Sequence, residues 1–249
     1  MYNYIVADIK RICHKNSFLM TVGAYIGLFL LMMFIYSNPT FTENAYVAKT
    51  TSFLGYFPLV IGLIVFLSVY YDDFKSKSMQ VAIGYGMRRY KVVLSKIIES
   101  IVLLVLSIVI IGIITMIVPM LLDLKLNGSQ ITEILFTLVI EMLRAIGYIS
   151  ISSIPVFYTQ NAVNGTILYV LLSSKTIMLL LSIILGQDFI VNIFGNLTKF
   201  VYTIGRYGIR STFMQTGIIN MSIALMIIIY VILPTIISIC GFRKKELEF

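Results

Sequence analysis

Six stretches of about 18 or more mostly apolar residues, joined by short polar connections, constrain this chain more than any other feature. They run Ser17–Tyr36, Phe53–Tyr71, Ile97–Leu122, Ile134–Tyr158, Ala162–Leu185 and Gly217–Cys240. Each is long enough to cross a hydrocarbon core of about 30 Å. Backbone groups in hydrocarbon must be satisfied within their own segment, so the stretches are read as helices. Their runs are continuous rather than alternating, which argues against an outer-membrane barrel. With 12% charged residues, the chain cannot cover a water-facing surface, since a soluble domain has roughly 25%. The expectation is an all-α integral membrane protein forming one domain over residues 1–249.

Basic residues set the orientation. With the N-terminus inside, the cytoplasmic side carries Lys10, Arg11, Lys15, Lys75, Lys77, Arg88, Arg89, Lys91, Lys96, Arg243, Lys244 and Lys245. The outer side carries Lys49, Lys125, Lys199, Arg206 and Arg210. Twelve against five places both termini in the cytoplasm. The net charge of +8 is therefore a topology signal, and no soluble face gathers it for nucleic acid. Cys13 and Cys240 both fall near the reducing side, so no disulfide framework is expected. Nothing in the first sixteen residues resembles a cleaved signal peptide.

Residues 1–16 form an amphipathic helix with Tyr2, Ile5, Val6, Ile9, Ile12 and Cys13 on one face. Asn3, Asp8, Lys10, Arg11 and Lys15 lie on the other, which predicts a helix in the headgroup plane with its bases toward anionic lipid. It reads equally as a fixed anchor or as an elbow that moves with a partner. Ser37–Ser52 reads as a polar outer loop. Residues 186–216 are semi-apolar and broken by glycines at 186, 195, 205 and 208, with another at 217 just beyond. That pattern predicts two short helices re-entering the outer leaflet before the last span.

The sizeable cytoplasmic segment is Asp72–Lys96, DDFKSKSMQVAIGYGMRRYKVVLSK. A short helix over Ser76–Ile83, capped by Ser76 or Ser78, is followed by a sharp turn at Gly84 and Gly86. A second helix then starts at Met87 and runs into the third span. Spacing alone leaves two readings: a rigid knuckle for a partner, or an anchoring loop whose bases bind lipid phosphate.

Gly84, Gly86, Arg88 or Arg89, Ser95 and Lys96, with the interfacial helix, the re-entrant segment and the basic end GFRKKELEF, resemble the permease subunit of ABC-2 type transporters. The chain departs from that family ahead of the coupling helix. Asp72-Asp73 and Lys77-Ser78 stand where a glutamate and a Gly-Thr pair are frequent. The resemblance implies a coupling helix between the second and third spans that meets an ATPase subunit through Ser76, Ser78, Met79, Gln80, Ile83, Gly84, Gly86, Arg88 and Arg89. It also implies two such ATPases holding ATP and magnesium, and a second permease, identical or homologous. The expected role is export of amphipathic or antimicrobial peptides, or of other hydrophobic molecules. The richness in Ile, Lys and Asn fits a low-GC bacterium and hence a bacterial plasma membrane.

The chain itself carries no GxxxxGK[ST] loop, so any ATP binds elsewhere and the chain is not expected to be an enzyme. Its single histidine leaves histidine-based metal ligation and Ser-His catalysis without their parts, and no metal or cofactor is expected. Glu141 and Arg144 share one face of the fourth span, where charges are costly and pair with one another or face water. They read as a structural ion pair or as a polar point on a substrate path. Lys175, Phe189, Phe194 and Phe200 are further candidates for such a path, and Glu99 is expected to pair with nearby lysines. An ATP-independent secondary transporter is one alternative, though no inverted repeat is visible. A membrane immunity or sensor protein that binds a peptide without moving it is the other.

Overall fold

The computed structural model describes residues 1–38, 41–76, 78–174, 176–195, 197–198, 201–217 and 222–244. Among these, every regular element is a helix. In chain order they are α1 (Tyr2–Cys13), α2 (Asn16–Tyr36), α3 (Glu43–Lys75), α4 (Ser78–Gly84), α5 (Arg89–Leu121), α6 (Gly128–Thr159) and α7 (Ala162–Ser173). Then come α8 (Thr176–Leu185), α9 (Asp188–Phe194), α10 (Tyr202–Thr216) and α11 (Ala224–Arg243). Five of them (α2, α3, α5, α6 and α11) are long and apolar enough to cross a membrane. The chain is a multi-pass, all-helical membrane protein.

Two expectations about the spans need correction. The stretch Ala162–Leu185 is two helices rather than one, and neither is as long as the five spans. The break follows the polar run Ser173-Ser174-Lys175-Thr176. Ser173 and Ser174 turn their hydroxyls back onto the carbonyls of Val170 and Leu171 at 3.3 and 3.0 Å, a local bonding that competes with helix continuation. Ser37–Ser52 is not simply a loop either, because α3 begins at Glu43. Thr42 caps it through Ala45 N–H at 3.4 Å, and Tyr46, Val47, Thr50 and Leu54 form its buried face.

α6 is the centre of the bundle, packed against α3, α5, α7, α10 and α11. It starts in a capping box: Asn127 accepts from the Gln130 backbone, and the Gln130 carboxamide accepts from Asn127 N–H at 2.8 Å. Gln130 also donates to Asn44 Oδ1 at 2.7 Å, which pins the α5–α6 connection to α3. The C-terminal half of α6 is lined with small residues. Ser150, Ser152 and Ser153 are buried, and the Ser153 hydroxyl meets that of Ser238 on α11 at 3.0 Å. Small polar residues let apolar helices approach closely and add interhelical bonds.

Tyrosine hydroxyls bonded to backbone carbonyls tie the other helices together. Tyr25 of α2 donates to Phe53 O at 3.1 Å, and Tyr46 of α3 donates to Thr115 O at 2.7 Å. Tyr169 of α7 donates to Pro58 O at 2.6 Å. Pro58 opens a π-helical turn, Pro58–Gly62, in which the carbonyls depart from the regular ladder. The Tyr169 bond ties α7 to that turn.

Residues 186–216 include the two expected helices, α9 and α10, but α10 runs unbroken through Gly205 and Gly208. It lies antiparallel along α6. Tyr202 donates to Leu143 O and packs edge-on to Tyr148, Arg210 bonds Glu133 at 2.7 Å, and Phe213 stacks on Phe136 at 4.1 Å. α10 therefore begins level with the middle of α6 and ends near its N-terminal end. Gly147 makes this docking possible, since a Cβ there would sit 2.4 Å from the Tyr202 ring.

Candidate functional site

Three features carry the chemistry: the knuckle between α3 and α5, an ionic hub beneath it, and a buried pair halfway along α6. The knuckle is α4 followed by a tight reversal. Gly86 has φ +89°, Gly86 N–H bonds Ile83 O at 2.9 Å and Met87 N–H bonds Ala82 O at 3.1 Å. These two bonds and the left-handed glycine form a Schellman motif, which satisfies the last carbonyls of α4 and sets the angle at which α5 leaves. The predicted turn is therefore at Gly86, while Gly84 is still helical.

The candidate partner-contact residues divide in two. Gly84, Gly86 and Arg88 are exposed and Gln80 and Ile83 half-buried, with Val81 and Tyr85 standing beside them at 55% and 89% exposure. Ser76, exposed, follows α3 with its hydroxyl 3.4 Å from Asp73 O, and the Ser78 hydroxyl, with no hydrogen-bond partner, does not cap α4. Met79 is turned inward at 3% exposure, and the Ser78 hydroxyl is buried. Arg89 is committed to the bundle: its guanidinium donates to Phe242 O and Arg243 O at 3.2 and 3.4 Å. A cation on the final carbonyls of α11 complements the negative end of that helix. Lys77 lies outside the described residues.

The hub centres on Lys96, 1% exposed at its side chain. Its ammonium binds Asp8 at 2.5 Å, Glu99 at 2.9 Å and Asp73. Asp73, fully buried, also accepts from Arg11 at 2.6 Å and from the Tyr4 hydroxyl at 3.2 Å. The Tyr4 ring lies 4.7 Å from the Lys96 ammonium, and Lys15 pairs with Asp72. Burial raises the Tyr4 phenol above its ordinary value, so it remains a donor. Burial works against the Arg11 charge, but the hydrogen bond and charge of Asp73 outweigh it and raise the Arg11 value. The hub fastens α1 and the start of α5 to Asp72 and Asp73, the residues that lead directly into the knuckle. The expectation that α1 turns its bases to lipid needs one adjustment: Arg11 and Lys15, though still partly exposed, also hold carboxylates. Asp8 and Ile12 face the bundle and Arg11 and Lys15 hold carboxylates of α3, while Tyr2 and Val6 are exposed.

Glu141 and Arg144 do pair, at 2.5 Å and within one helix face. Arg144 is fully buried, donates to the Tyr207 hydroxyl at 2.8 Å, and lies 5.1 and 5.8 Å from the Tyr207 and Tyr148 ring centres. α10 thus seals the pair from outside, and the arrangement serves as an internal tie between α6 and α10. Removing one member would strand the other, which costs about 3–5 kcal/mol, whereas removing both does not. Glu141→Gln and Arg144→Gln are each expected to melt well below the double variant in detergent. Additive losses would show that the two charges are independent.

Phe189 is 75% exposed on α9. Lys175, Phe200 and the Phe194 side chain lie outside the described residues, so a substrate path through them has no geometry to set beside it. Glu99 pairs with Lys96 as expected. The roles of Asp8, Asp73, Tyr4 and Tyr207 were not foreseen; an acid on an amphipathic helix was the available hint for Asp8. No group of metal ligands occurs among the described residues. No protein family, characterised protein or solved structure matches the chain.

Proposed function

We propose that this chain is the membrane-spanning permease of an ATP-driven exporter whose ATP is hydrolysed by a separate subunit. The observation that carries the reading is the knuckle. A short helix locked by a Schellman turn projects exposed Val81, Tyr85 and Arg88, and its base is held by ion pairs from Asp73 to α1 and α5. A loop that only anchored the chain would need charge but not a fixed shape. A rigid projection tied to three helices suits the transmission of force from a cytoplasmic motor.

In this reading two ATPase subunits bind ATP and magnesium and press on the knuckle from the cytoplasm. Both termini lie on that side of a bacterial plasma membrane, and a second permease, identical or homologous, completes the path. The cargo is an amphipathic or antimicrobial peptide, or another hydrophobic molecule loaded from the bilayer, consistent with a wall of apolar helices and small outer connections. The test is affinity purification of the tagged full chain from its native membranes. A Walker-type ATPase is expected to co-elute and to hydrolyse ATP. Recovery of the intact chain with no such subunit would overturn the proposal.

A further inference from the structure

A groove of about 570 Å³ lies where α1, the start of α2 and the end of α3 meet, lined by Arg11, Ile12, Lys15, Asp72, Lys75 and Ser76. Lys15 immediately precedes α2 and Lys75 ends α3, so the groove sits where two spans leave the hydrocarbon. Its lining holds three bases against one acid. Asp72 is taken by Lys15, and Arg11 holds Asp73 and Asp8. Lys75, exposed, has no carboxylate partner among the described residues. The Arg11 and Lys15 side chains remain 43% and 40% exposed. A guanidinium has five donors and an ammonium three, so each keeps donors to spare after its ion pair.

Such a site calls for a singly charged group with several acceptor oxygens, carried at the depth of the membrane interface. A phosphodiester headgroup has that charge and those acceptors, and Ile12 gives the groove an apolar floor for the glycerol and first methylenes. A zwitterionic headgroup would add a cation beside three bases, whereas an anionic phospholipid adds none. We propose that this groove binds the headgroup phosphate of an anionic phospholipid through Lys75 and the spare donors of Arg11 and Lys15. The proposal needs only that the chain spans a bilayer and stands apart from the exporter reading.

The test is native mass spectrometry of the full chain in detergent, titrated with phosphatidylglycerol or phosphatidylcholine. Phosphatidylglycerol is expected to be retained in preference to phosphatidylcholine. Lys75→Gln removes an exposed, unpaired base and should lower phosphatidylglycerol retention about fivefold, the loss expected for one base near an anionic surface. Lys75→Arg should restore most of it. Lys10→Gln, which removes an equal charge from an exposed position of α1 outside the groove, should change retention less than twofold, about the margin between local and diffuse attraction. Equal effects of Lys10→Gln and Lys75→Gln would reduce the groove to surface potential, and equal retention of the two lipids would overturn its selectivity. Displacement of phosphatidylglycerol by millimolar inorganic phosphate would assign the site to a free anion instead.

Discussion

Replacing Lys96 by methionine is expected to destabilise the fold by about 3–5 kcal/mol, because it withdraws the one cation shared by three acids in a dry site. Asp73 would keep Arg11 and Tyr4, and Asp8 would keep a longer contact with Arg11. Glu99 would keep no ion pair among the described residues: Lys96 is its partner, and its second carboxylate oxygen is already buried without a hydrogen bond. The methionine fills most of the space left by the lysine stem, so a cavity is not the cause of the loss. α1 loses the bond from Asp8 to Lys96 and should loosen before the spans do, although Arg11 and Tyr4 still hold Asp73. Hydrogen exchange is expected to accelerate over residues 2–13 while α6 stays protected. Lys91→Met is the control, since that lysine is half-buried on the same helix with no ion-pair partner among the described residues. A Lys96→Met protein that melts with the wild type and keeps α1 protected would show that the hub is ornamental to stability.

What could be read from the sequence follows what each feature depends on. α2, α5 and the core of α3 were legible because a span is a one-dimensional property, an apolar run of sufficient length. The first half of α3 was hidden because its composition, ENAYVAKTTS, is polar. Its core face, Tyr46, Val47, Thr50 and Leu54, becomes a stripe only once a helix is assumed. The division of Ala162–Leu185 was hidden for the opposite reason: hydropathy averages over the Ser-Ser-Lys-Thr run that breaks the helix. Glu141 and Arg144 were readable as a pair because their partners are three residues apart. The Lys96 hub was not, because Asp8 lies 88 residues from its lysine and Asp73 lies 62 from its arginine. No spacing rule connects charges across three helices, so only the packed bundle reveals that they balance.

The two ionic clusters also divide the labour by depth. The Glu141–Arg144 pair lies midway along α6, closed in by Tyr207, and binds α10 to the bundle. The Lys96 hub lies at the end of the spans that carries the knuckle and joins elements that come together only there. Pulling α10 away would take the Tyr207 hydroxyl from a fully buried guanidinium, which resists motion at that depth. Arg11 and Lys15 at the hub are partly exposed, so their ion pairs can part and be rehydrated at lower cost. A movement starting at the knuckle would therefore rearrange the hub first and leave the α6–α10 tie intact.

Gly86→Val is expected to abolish capture of an ATPase while leaving the spans folded. The sequence treats Gly84 and Gly86 alike, but the structure separates them. Both would place a Cβ in open space, so neither substitution produces a clash. Gly84 is helical, and Gly84→Ala there should stabilise α4 by up to about 1 kcal/mol through the better helix former. Gly86 holds φ +89°, where a β-branched residue costs about 1–3 kcal/mol. The valine escapes that cost by giving up the two Schellman bonds, which frees α4 to swing on its tether and carries Tyr85 away from its docking position. Because α4 buries little beyond Met79, the loss falls more on binding than on melting temperature. Co-purified ATPase should drop at least tenfold for Gly86→Val, about 1.4 kcal/mol, and stay at the wild-type level for Gly84→Ala. If the valine variant holds its ATPase as well as the alanine variant does, the shape of this turn has no part in coupling, and the knuckle is an anchor.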